Sequence, residues 1–277
     1  MFFEVCFCVN WPQAKNTIPL EETFPVSKYL DCGYNRYVPN LKNGKWGSGE
    51  FMFPVFQLQD GATIKRCIFS GADGIHCNGT CTVEDCWNEN VADDSITLLD
   101  VIFSGADGIH CNGTCTVEDC WNENVADDSI TLLGNNPNAV YTIQGGGAKN
   151  GKGKIIQFDG AGTLNVNNFY INTCGEGIRS CGNCLSQYRN RKINVNGLTI
   201  ENLQIGQYVV GVNKNYGDVA TLKNIHILGP TANQVFPCKT FEGNNQGKNP
   251  NVRDMENNKG GDGTYCIYDE SDIHIGS

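Results

Sequence analysis

Seven short segments in which apolar and polar residues nearly alternate recur along the chain, at Ile64, Val83, Val117, Ile143, Leu164, Ile193 and Leu222. The intervals are 19, 34, 26, 21, 29 and 29 residues. Such spacing is too variable for a rigid solenoid, yet close to what one coil of three short strands and three turns needs. In Leu164-Asn165-Val166-Asn167 and Ile193-Asn194-Val195-Asn196 the period of two sends apolar side chains inward and polar ones outward. Stacking each strand on its copy in the next coil satisfies the backbone without hairpins. The pattern therefore predicts an all-β, right-handed, single-stranded parallel β-helix. An antiparallel sandwich or barrel would show hairpin signals at shorter, more regular spacing.

A second repeat is uninterrupted: Ile68–Leu99 is identical to Ile102–Leu133, at an offset of 34 residues. Identity without a substitution indicates a recent tandem duplication or a fault of gene assembly. On the solenoid reading it adds one coil and a longer loop. Composition does not change abruptly, so residues 11–277 are read as one domain. The apolar stretch Met1–Val9 lacks a basic start and carries Glu4, which makes it a poor signal peptide, and residues 1–10 are read as a remnant or partial leader.

The 15 cysteines fall in close pairs, Cys77 with Cys81, Cys111 with Cys115 and Cys181 with Cys184. Disulfides in an oxidising compartment are expected, and with them a secreted protein. Zinc is the weaker reading, because the histidines beside a pair are His76 and His110 and a closed four-ligand set is hard to assemble. A formal charge of −10 argues against nonspecific nucleic-acid binding, and no stretch is long enough to span a membrane. An acidic substrate would need local cations or a bound metal to attract it.

Charged residues also recur at coil spacing. Asp107, Asp128, Lys154 and Arg179 are 21, 26 and 25 residues apart, which predicts one column, acidic at one end and basic at the other. Asp127 and Asp128, joined by Asp107 from the neighbouring coil, would repel one another unless a hard cation lay among them, and Ca²⁺ takes such ligands readily. The first repeat offers Asp73, Asp93 and Asp94 as an alternative set. Turn sequences alone could also account for these aspartates.

Several segments, in order, carry a likeness: Ala-Asp-Gly-Ile-His-Cys at Asp73 and Asp107, Val-Ala-Asp-Asp-Ser at Asp94 and Asp128, Gly145-Gly146-Gly147-Ala148 and Lys154-Ile155-Ile156-Gln157. They continue with Arg179-Ser180-Cys181-Gly182-Asn183-Cys184, Asn215-Tyr216-Gly217-Asp218 and Asp262-Gly263-Thr264-Tyr265-Cys266. From about Trp11 to the C-terminus the sequence resembles the pectate lyases of polysaccharide lyase family three. The resemblance implies a parallel β-helix that cleaves (1,4)-α-D-galacturonan by calcium-dependent β-elimination, leaving 4,5-unsaturated oligogalacturonates. It implies that Asp107, Asp127 and Asp128 hold Ca²⁺, that Lys154 is the catalytic cation or base and that Arg179 assists it. Gln157, Glu176 and Arg189 are assigned to the substrate. A secreted monomer acting on polygalacturonate is the expected whole.

The chain departs from that family at four places: Asp127 stands for Glu, Gly153 for Asp, Asp159 for Asn, and Glu176 for a lysine expected near substrate. These imply a weakened lyase, or a polygalacturonate-binding protein with an eroded site. A polygalacturonase-like hydrolase is the other alternative, but its Gly-His-Gly and Arg-Ile-Lys segments are missing.

Overall fold

A strand three to five residues long cannot stand alone, and here each lies on its counterpart one coil earlier. The computed structural model describes residues 11–47, 52–89, 108–124, 127–257 and 259–276. Strands Thr63–Lys65, Cys81–Glu84, Cys115–Glu118, Val140–Gln144, Thr163–Asn167, Lys192–Glu201 and Val219–Leu228 pair in parallel in that order. They form one face of a right-handed parallel β-helix. Two further stacks complete each coil: one runs through Ile68–Phe69, Trp87–Asn88 and Trp121–Glu123, the other through Phe56–Leu58, Ile75–Cys77, Ile109–Cys111 and Ile130–Leu132. Both then continue into the long strand Gly147–Phe158. The antiparallel exception among the named strands is Phe236–Glu242 with Asn251–Glu256.

The row expected from sequence is present with a correction. Ile64, Val83, Val117, Ile143, Val166, Val195 and Leu222 are in successive register. Leu164 and Ile193 occupy the adjacent inward row with Tyr141 and Ala220. The slip is two residues, so the inward face is conserved, since a strand returns to the same face every second residue. All seven side chains of the row are buried. Ile143→Val should cost about 0.5–1.5 kcal/mol, by the loss of one buried methyl. Chemical denaturation measures this, and an unchanged midpoint would remove Ile143 from the core.

The turns explain the abundance of Asn, Asp and Gly. Immediately after the first five of the first-face strands stand Arg66, Asp85, Asp119, Gly145 and Asn168, and within the two longest stand Gly197 and Asn224, all with positive φ. The left-handed region crowds Cβ against the backbone, and Gly, Asn and Asp tolerate it best. A column of left-handed turns thus bends every coil at the same place.

The duplicated segment is stacked copy on copy. Ile109–Cys111 lies on Ile75–Cys77 and Cys115–Glu118 on Cys81–Glu84, so 34 residues advance the chain by one coil. Cys77–Cys81, Cys111–Cys115 and Cys181–Cys184 are disulfides, as the pairing in sequence indicated, and Cys32–Cys67 and Cys238–Cys266 add two longer links. Cys86, Cys120 and Cys174 are free and buried, and burial pushes the Cys174 thiol up to about 12. No helix among the described residues is long and apolar enough to cross a membrane.

Candidate active site

The strands Gly147–Phe158 and Tyr170–Ser180 carry Lys154, Glu176 and Arg179. Their register pairs Lys154 with Glu176 and Gln157 with Arg179. The single expected column is therefore corrected: Arg179 lies beside Gln157, three positions along the strand from the level of Lys154. A register shift between Gly151 and Lys154 accompanies this. Of the expected steps, the one from Asp128 to Lys154 is present. Asp128 Oδ1 accepts the Lys154 backbone N–H at 2.8 Å and lies 3.5 Å from Nζ.

Lys154, Gln157, Glu176 and Arg179 line one cavity of about 320 Å³ together with Tyr208, Phe241, Gly182, Asn183, Asn249 and Pro250. Arg189 is not in this lining. It is exposed, on the loop before Lys192, with its guanidinium 5.7 Å from the Tyr216 ring. Asp107, Asp93 and Asp94 lie outside the described residues, as do residues 1–10. Asp73 is buried three coils before Lys154, 2.8 Å from His76 Nε2.

Arg179 is held rigidly. Its guanidinium lies 3.8 Å from the Phe241 ring, and Nη2 donates to Asn213 Oδ1 at 3.2 Å. Asn213 donates in turn to Asp218 Oδ2 at 3.1 Å, and Asp218 pairs with fully buried Arg191 at 3.0 Å. Arg191 also donates to the carbonyls of Gly160 at 2.8 Å and Asp159 at 3.2 Å. At position 159, then, Arg191 uses a backbone oxygen that an asparagine would supply equally. Burial lowers the Arg179 pKa below the ordinary arginine value, against the opposing influence of Tyr208 and Glu176. Arg179 Nη1 and Gln157 Oε1 are buried without a hydrogen-bond partner. Buried polar atoms rarely stay unsatisfied, so both favour a polar ligand in the cavity.

Glu176 has a partner that the sequence did not reveal: its carboxylate accepts the Tyr208 hydroxyl. Burial drives the Tyr208 pKa far above its ordinary value; Arg179 opposes the rise and Glu176 adds to it. Burial also lowers the pKa of Lys239, whose amine reaches the Gly206 carbonyl, while Glu176 pulls it back up. Tyr208, Phe241 and Asn213 carried no sequence signal, since Tyr208-Val209-Val210 reads as ordinary core.

Whether a dication fits is answered at Gly153. A Cβ there would lie 2.4 Å from Asp127 Oδ1 and 2.6 Å from Asp128 Oδ1. Both carboxylates therefore point into one small space that the missing side chain leaves open. Paired oxygen donors of this kind suit a hard ion. The residues present fit calcium, although Lys154 shares Asp128.

With the geometry in place, comparison with known proteins is informative. The family model described as pectate lyase matches residues 9–101 and again 100–248, the break falling between the two copies of the repeat. Among curated proteins, the chain is 37% identical over 222 residues to probable pectate lyase F of Aspergillus fumigatus, covering 79% of this chain and 76% of that one. It is 33% identical over 262 residues to pectate lyase H of Emericella nidulans, covering 94% and 83%. Among solved structures, the catalytic domain of pectate lyase PelI from Erwinia chrysanthemi matches with a TM-score of 0.61 at 25% identity, covering 94% of this chain and 99% of that domain.

Proposed function

The chain belongs to the pectate lyase family and is a pectate lyase, and from this premise we propose that it cleaves polygalacturonate by calcium-dependent β-elimination through the cavity between Lys154 and Arg179. The observation that carries the proposal is the convergence of Lys154, Gln157 and Arg179 on one cavity, next to a carboxylate pair aimed at open space. Asp127 and Asp128 would hold the ion, with Asp107 as the third ligand expected from the resemblance. Bound there, calcium supplies a positive field that withdraws charge from a uronate carboxylate and acidifies its C5 hydrogen.

The remaining work belongs to the chain's own groups. Lys154, with its side chain 28% exposed, is the group we assign to take the C5 proton. Arg179 faces the charge that builds as the C5–H bond breaks, and being fixed by Asn213 and Phe241 it need not reorganise. Gln157 orients the sugar by hydrogen bonds. The C5–H electron pair becomes the C4–C5 double bond, the C4–O bond breaks, and the leaving oxygen takes up a proton. We further propose that the protein is exported, which the five disulfides among the described residues favour, and that it acts as a single copy, since one chain lines the whole cavity.

Incubation with polygalacturonate and calcium tests this reading through the ultraviolet absorbance of the conjugated uronate. Absorbance that rises and is abolished by chelation is the expected result. Reducing ends without absorbance would mean hydrolysis, and neither signal would leave a binding protein. Asp128→Asn should weaken calcium binding at least about tenfold by calorimetry, one charge being worth roughly that much at an exposed-to-buried boundary. Unchanged affinity would move the ion away from Asp128.

A further inference from the structure

Duplicating a coil in register stacks like on like, and at one position the like residue is a histidine. His76 and His110 are direct partners across the two copies, their rings parallel to within 15° with centroids 4.5 Å apart. Asp73, buried in the first copy, places Oδ2 2.8 Å from His76 Nε2 and 4.0 Å from His110 Nδ1. The three donor atoms all lie within 4.8 Å of one another. We propose that the duplication has built a second metal site, distinct from Asp127 and Asp128, in which Asp73, His76 and His110 hold a first-row transition dication such as zinc.

The distances suit the ion. Zinc bonds of about 2.0–2.1 Å to nitrogen and oxygen in a tetrahedron put neighbouring donors roughly 3.3 Å apart. Two of the three separations, 2.8 and 4.0 Å, straddle that value, and because an imidazole lone pair lies in the plane of its ring, the two stacked rings would each turn about the Cβ–Cγ bond to meet one ion. Donor type selects the metal: imidazole nitrogen favours zinc, nickel or copper and suits calcium poorly, so this set differs in kind from the carboxylate pair. The side chains of His76 and His110 are 21% and 16% exposed, which leaves an open side for entry and for a fourth ligand from solvent. Three protein ligands with one open position is the usual form of a zinc site that is not purely structural.

The chain contains its own comparison. On its other side His110 is in register with Thr131, the residue that follows when no second copy is stacked there. A single-copy coil would thus set one histidine against a threonine, a poor metal ligand. The same row continues through Gln157 and Arg179, so the proposed ion lies on the face that carries the substrate cavity, toward the N-terminal end of the helix.

Zinc titration of the chelator-stripped, disulfide-intact full chain by calorimetry tests the proposal, first without calcium and then with calcium in excess. One equivalent of zinc is expected in both conditions. His76→Gln and His110→Gln should each weaken zinc binding at least about tenfold while circular dichroism stays unchanged, since loss of a ligand costs that much or more. His226→Gln, in the other stacked histidine pair, should have no effect. No zinc binding by the native chain, zinc displaced by excess calcium, binding that survives the His76→Gln, His110→Gln double variant, or loss that follows His226→Gln would each overturn the assignment.

Discussion

Replacing Lys154 with alanine is expected to lower kcat for unsaturated product by about 10²–10⁴-fold, the range for removing a positioned proton acceptor. Fold and calcium affinity should survive. The amine is partly exposed and contacts Asp128 at 3.5 Å rather than filling core, and its removal takes away a cation that competes for that carboxylate. Calcium binding should therefore be equal or tighter. If Lys154→Ala lost calcium binding together with activity, its role would be that of a structural partner for Asp128, and the base would lie elsewhere.

The departures from the family pattern read differently once side chains have neighbours. Glu176, taken from sequence as a charge reversal beside substrate, accepts the Tyr208 hydroxyl and stands among Lys154, Arg179 and Lys239. An acid there balances a cluster of cations in a poorly solvated region, where uncompensated charge is costly. Gly153 is no simple loss either. A side chain at that position would meet both Asp127 and Asp128, so its absence makes room for the pair to converge.

What the sequence could convey followed from periodicity. Alternation fixes which residues face inward, and Ile64, Val83 and Val117 follow from it directly. It does not fix register to better than two residues, because slips by two leave every side chain on its proper face. Leu164 and Ile193 were misplaced by that amount. The column of charge failed for a related reason: Lys154 and Arg179 are 25 residues apart, within the range of one coil, yet strand pairing there sets partners 22 apart, as Gln157 and Arg179 are. The carboxylates Asp107, Asp93 and Asp94 lie outside the described residues, so the third calcium ligand rests on resemblance alone. Arg189 had no periodic support and belongs with Tyr216. The residues that clamp Arg179, namely Asn213, Asp218 and Phe241, act through space across coils, and no spacing in the chain announces such contacts.

That clamp makes Arg179 the second position where a large effect is expected. Arg179→Ala should lower kcat by about 10²–10³-fold, as removal of a preorganised group facing developing charge does. It should also cost about 1–3 kcal/mol of stability, because Asn213 Oδ1 loses its buried donor and Phe241 its stacked partner. The two effects separate when kcat is measured well below the melting temperature of the variant. Arg179→Lys keeps the charge but not the planar fork that reaches Asn213 while stacking on Phe241, so it should recover only part of the rate. With Arg179→Ala correctly folded and kcat unchanged, the guanidinium would be part of the scaffold, and the charge forming at the sugar would have to be met by Lys154 and the metal side of the cavity.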